Sequence, residues 1–197
     1  MKPIAALFLA FTLAALAGCA GRDFVRPELA DLKLGQTTYP QVIAKLGEPR
    51  RTGELLKDGE TIKTIAYAYA STGGEPLQAG VIPVRVMVYY FHRDVVVGRE
   101  FLSSFKSDNS DFDETKISGI EKTKTTRAEV IQILGPPTAL FLRPMVKETY
   151  GEAIGYTYQT TSGGVFSGFK VYRKALRITF DGSDKVLDVD YAASGSK

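Results

Sequence analysis

The sequence predicts an α+β protein built from two tandem modules, each with two short helices packed on a three- to four-stranded antiparallel sheet. Three observations carry this. Residues 37–49 (TTYPQVIAKLGEP) are echoed 88 positions later by residues 125–137 (TTRAEVIQILGPP), with seven identities in thirteen positions. Behind each copy come segments in which apolar and polar residues alternate at period two, the mark of half-buried strands. The composition, with 10 Tyr and 11 Phe, suits β-structure.

The N-terminus is set aside before the fold is read. Met1-Lys2 opens a basic start, and Pro3 to Ala17 runs without a charge. That run is long enough for a secretory core and short of the ~20 apolar residues a spanning helix needs. It ends in Leu16-Ala17-Gly18-Cys19, which resembles a bacterial lipobox. The resemblance implies that residues 1–18 are a signal peptide and that Cys19 becomes the acylated N-terminus. Cys19 is the only cysteine in the chain, so no disulfide competes for its thiol. Residues 19–26 read as a polar tether, and Ala20, with no aspartate after the cysteine, resembles the pattern of lipoproteins sent to the outer membrane. Several acyl chains at about 0.8 kcal/mol per buried methylene hold a protein firmly to a bilayer.

The first module is assigned to residues 27–107 and the second to 108–197. In each, a threonine (Thr38, Thr126) stands where a helix N-cap belongs, with Gln41 or Glu129 three residues later to complete a capping box. Val42, Ile43 and Leu46, and again Val130, Ile131 and Leu134, line one helical face. Gly47 and Gly135 end the helices, and the following Pro49 and Pro137 prevent their resumption. The pairs Leu29/Leu32 and Ile117/Ile120 keep one offset and predict a further short helix before each. Strands follow: IAYAYASTGG (65–74) and IGYTYQTTSGG (154–164), then VRVMVYYF (84–91) and LRITF (176–180), then VVVGREF and VLDVDY, with ALFL (139–142) a candidate for one more. Short turns between them imply antiparallel pairing. The acidic stretch SDNSDFDE (107–114) lies at the junction.

A Thr-capped helix carrying V-I-x-x-L-G-x-P, an aromatic Y-x-Y strand and an alternating strand ending in Phe together resemble the BamE (SmpA/OmlA) family. The tandem arrangement is similar to the β-lactamase inhibitory protein fold. The first resemblance implies a small outer-membrane lipoprotein on the periplasmic face, anchored through Cys19 and working by contact with another envelope protein. The second implies the alternative, an inhibitor of a periplasmic hydrolase such as a β-lactamase or protease. No partner-contacting family residue is carried over.

The residues themselves give little chemistry. Without the leader, 24 basic side chains face 22 acidic ones, a balance with no general attraction to nucleic acid. His92 is the only histidine and sits where a strand turns, with no serine in a strained elbow to serve. One histidine and one cysteine make no zinc set. Asp108, Asp111, Asp113 and Glu114 lack the spacing of an EF-hand loop and read as a solvated junction. Gly163, Gly164 and Gly168 lie between two strands, as at a hairpin tip, rather than before a helix as a phosphate cradle requires. No enzyme, cofactor or metal is therefore expected. The most basic segment holds Lys170, Arg173, Lys174 and Arg177, with Phe169 and Tyr172 between them. It reads as contact with anionic lipid or, more plainly, as a solvated strand face. The tyrosines 67, 69, 156 and 158 suit either a recognition surface or core packing.

Overall fold

The computed structural model describes residues 21–27, 31–147, 151–164 and 168–196. The leader, Cys19 and Leu29 lie outside them. Helix α1 (Tyr39–Leu46) precedes strands β1 (Arg51–Lys57), β2 (Glu60–Ala70), β3 (Val84–His92) and β4 (Val95–Ser103). A 3-10 helix (Glu114–Gly119) and helix α2 (Arg127–Leu134) precede β5 (Ala139–Leu142), β6 (Glu152–Gly164), β7 (Gly168–Phe180) and β8 (Val186–Gly195). The strands follow one another in sequence order in a single eight-stranded antiparallel sheet.

This overturns the expectation of two modules, each with its own small sheet and pair of helices. The sheet does not stop at the junction, because β4 pairs with β5 through Gly98↔Phe141, Arg99↔Leu140 and Glu100↔Ala139. The physical reason is the edge. Two separate sheets would each leave a row of unpaired backbone groups where they face one another, and pairing satisfies both rows. Nor does each half carry two α-helices. Residues 31–36 form turns closed by Thr37 N–H donating to Lys33 O (2.9 Å), and residues 114–119 wind as a 3-10 helix. Segments this short cannot repay helix nucleation.

The internal echo is nonetheless written in matched bonds. Thr38 N–H donates to Gln41 Oε1 at 2.8 Å, and Thr126 N–H to Glu129 Oε2 at 2.7 Å. Gly47 and Gly135 close α1 and α2 with φ of 78° and 85°, which glycine alone adopts without strain. The helix ends then receive equivalent tyrosines. Tyr67 Oη donates to Gly47 O (2.8 Å) and Tyr156 Oη to Gly135 O (2.9 Å). Both helices lie on one face of the sheet. Val42 of α1 packs with Ile65, Tyr67, Met87, Tyr89 and Phe91 of the sheet, and Val130 of α2 with Ile154, Tyr156, Leu176, Ile178 and Phe180.

The other face is concave. Ile62 from β2 shares a third apolar cluster with Phe141 of β5, Ala153 of β6 and Met145 and Val146 of the β5–β6 loop, so the sheet curls until its first half meets its second. Met145 and Val146 of that loop fill part of the hollow. β1 fills the place of the further strand that could precede the tyrosines; no pattern marks it in the sequence, since its residues are mostly exposed and polar, as befits an edge strand.

Burial raises the pKa of Tyr67 and of Tyr156 to about 12 from 10.0. The phenols are neutral in the fold, so their contribution is complete below pH 10.0 and is lost as pH rises through about 12. Tyr67→Phe and Tyr156→Phe should each lower unfolding free energy by about 1 kcal/mol in urea titrations at neutral pH. The double variant should also lose less stability than the parent between pH 10.0 and about 12.

Candidate functional site

Strand geometry divides the basic segment expected to touch lipid. Successive residues point to opposite faces of a sheet. Lys170 and Lys174 therefore share the helix-bearing face with Leu176, and Arg173 and Arg177 share the concave face. Lys170 and Arg173 are exposed, Arg177 is half-buried, and Lys174 is buried. The four do not form one cationic surface.

Lys174 is held by the junction. Its Nζ lies 2.7 Å from Asp111 Oδ1 and 2.5 Å from Glu114 Oε2, and it also donates to Phe112 O. The Phe112 ring stands 4.5 Å from the ammonium. Burial works against the charge, but the hydrogen bonds the ammonium donates to Asp111 and Glu114 outweigh it and the lysine pKa is raised. Arg85 does the same for the first half from the matching place on β3. Its Nε lies 2.7 Å from Asp108 Oδ2, its Nη1 2.5 Å from Asp23 Oδ1, and its guanidinium rests 4.7 Å from the Phe105 ring centroid. Within 107–114, Ser107, Asn109, Asp111 and Asp113 are exposed, as a solvated junction requires, while Asp108, Asp111 and Glu114 also pair with Arg85 and Lys174. Asp113 instead caps the 3-10 helix through Thr115 N–H (3.0 Å).

The remaining sequence candidates are structural. Tyr67, Tyr69, Tyr156 and Tyr158 all lie on the helix-bearing face; Tyr67, Tyr156 and Tyr158 are core, and Tyr69 stacks on Phe105 at 5.7 Å. His92 closes β3, with Nε2 3.0 Å from Glu60 Oε2; that hydrogen bond holds the Glu60 carboxyl below its ordinary pKa. Gly163 pairs with Phe169 in the β6–β7 hairpin, where a Cβ would stand 2.0 Å from Gly168 O.

What the structure adds is a groove on the concave face, about 290 Å³, running across β4 to β8. Its floor is made of small residues: Ala139, Gly155, Ala175 and Ala192. Phe141 forms one wall, and the Arg177 guanidinium lies over its ring at 4.4 Å. Arg173 Nη2 donates to Glu100 Oε1 at 3.0 Å, and Tyr90 Oη donates to Glu100 Oε2 at 3.3 Å. Asp190 stands opposite Arg177 on β8, yet among the described residues no carboxylate reaches ion-pair distance of Arg177. Two glycines make this packing possible. A Cβ on Gly98 would sit 3.0 Å from the Phe141 ring and 3.1 Å from that of Tyr90, and one on Gly155 3.0 Å from Ala139 Cβ. A glycine inside each alternating strand, VVVGREF and IGYTY, was the legible sign of a close approach.

No protein-family model matches the chain, and no curated protein matches it. The BamE resemblance therefore rests on the quoted motif alone. Among solved structures, the chain is similar to a putative β-lactamase inhibitor protein from Streptococcus mutans, with 11% identity and a TM-score of 0.40 over 79% of this chain and 82% of that one. A likeness that low carries no functional information.

Lys174→Met would take the ammonium away from Asp111 and Glu114 and leave its site among the rings of Phe112 and Tyr158 without a charge to balance the two acids. It should cost roughly 3 kcal/mol in urea unfolding. Neutralising both acids in the same chain (Asp111→Asn, Glu114→Gln) should recover part of that loss.

Proposed function

We propose that the protein is a non-catalytic, lipid-anchored component of the bacterial outer membrane that binds another envelope protein in the concave groove. The observation that supports this most is Arg177. It is half-buried, stacked on Phe141 above a floor of small side chains, and no carboxylate of the described residues pairs with it. Arginines and aromatics set in water-excluding surroundings are the side chains that dominate binding energy at protein interfaces. The groove suits an extended segment with an acidic side chain that pairs with Arg177 while small or apolar neighbours settle on Gly155 and Ala175. The lipobox supplies the address: Cys19 holds the body at the periplasmic face.

The test is photo-cross-linking in the cells that make the protein, with the reactive residue at Ala192 at the β8 side of the groove floor or at Gln132 on the exposed side of α2. A partner captured from Ala192 and not from Gln132 is expected, with Arg177→Ala weakening capture by roughly tenfold. Equal capture from both positions, or none from Ala192, contradicts the reading. Capture of a hydrolase that the purified protein inhibits one-to-one would assign the groove to inhibition instead.

A further inference from the structure

The tether after the expected lipidation site is docked, not loose. Gly21 forms an antiparallel bridge with Tyr69 near the end of β2. It does so with φ at +75°, and a Cβ there would sit 2.1 Å from Ala68 O, so this approach requires glycine. Asp23 pairs with Arg85 at 2.5 Å, and Phe24 O accepts from the same guanidinium at 3.0 Å. Arg26 continues the line, donating to Pro137 O at 3.3 Å and covering the Phe101 ring at 4.8 Å. Residues 21–26 are thereby clamped to both halves of the chain.

Direction follows from the bridge. The tether runs antiparallel to β2, so its N-terminal end points past Ala70, beyond the end of the sheet where β2, β4, β6 and β8 finish. Cys19 stands two positions before Gly21, a reach of at most ~7 Å. Acyl chains on Cys19 would hold the bilayer close to that end of the sheet.

The same end carries the paired ends of β6 and β7, which run past the last β7–β8 pair (Tyr172↔Gly195) and past the Val81↔Ser162 bridge on the β6 edge. Lys174 and Arg85 grip one junction and so mark a common level. From Lys174, β7 extends five residues further to Phe169, roughly 17 Å at strand rise. On this extension Phe169 is 59% and Val171 45% exposed, both on the concave side, while Lys170 is exposed on the other. Two bare apolar side chains flanking a cation, at the end nearest an anchored bilayer, have the composition of a membrane-interface contact.

We propose that the Phe169–Val171 segment at the start of β7 is a second membrane contact, with Phe169 and Val171 entering the boundary between headgroups and acyl chains and Lys170 meeting anionic headgroups. The body then stands with its strands pointing at the bilayer, and the concave groove opens sideways along the membrane surface. This rests on the proposed anchor at Cys19. It also narrows the lipid contact expected of the basic segment to Lys170, since Lys174 is buried and Arg173 and Arg177 belong to the groove.

The sequence has no tryptophan, so an introduced one reports without background. The mature, acylated protein is placed on phosphatidylethanolamine–phosphatidylglycerol vesicles, carrying either Phe169→Trp or Leu56→Trp. Leu56 is 74% exposed beside the β1–β2 turn, at the opposite end of the sheet. The Phe169→Trp chain should show a blue shift on vesicles and lose emission to brominated acyl chains. The Leu56→Trp chain should show neither. If both variants float with the vesicles and emission at position 169 is unchanged, the second contact is wrong and the anchor stands. If neither floats, anchor and second contact fall together.

Discussion

Two cations on the covered side of a sheet cannot be left alone. Arg85 on β3 and Lys174 on β7 occupy matching places in the two halves, and each points towards the side where the helices pack. A charge removed from water must be paired, or the fold loses several kcal/mol. The only acidic run long enough to serve both lies between the halves. Asp108 answers Arg85, and Asp111 and Glu114 answer Lys174. The connecting segment is thus stitched to both sides of the boundary it crosses.

Sheet continuity is the next consequence. With the connection held flat, β4 and β5 lie beside one another, and the pairing of Gly98–Glu100 with Ala139–Phe141 completes the seam. Ser110 reinforces it beyond the short β5: its hydroxyl donates to Thr157 O (2.7 Å) and accepts from Ser103 N–H (2.9 Å), so β6 is tied to the end of β4. The groove is a property of this seam. Its walls and floor come from β4, β5, β6, β7 and β8, and neither half alone contains them. Its shape depends on glycines that let Tyr90 and Phe141 lie down on the strands.

Local features were the ones legible in the sequence. Capping threonines, the glycines at helix ends and the alternation of VRVMVYYF each depend on neighbours within a few residues, and each has its counterpart in the structure. Pairing between β4 and β5 depends on residues some forty positions apart, and no periodicity announces it. No pattern marks the edge strand β1, because one covered neighbour leaves little demand for apolar alternation. Lys174 and Arg173 are adjacent in sequence and look alike there. One residue of strand advance puts the first among rings and carboxylates and the second in the open groove. The acidic run 107–114 reads as a hydrated loop, and composition does not reveal which cations a chain will bring to it.

Hydrogen exchange followed residue by residue tests most directly whether the eight strands are one cooperative structure. The seam amides of Phe101, which donates to Thr138 O, and of Arg99, on the same edge of β4, should open with the same free energy as those of Val42 and Val130, the buried residues of α1 and α2. Fast exchange at the seam with both helix-covered cores still protected would show two independent units in contact, and would contradict the account.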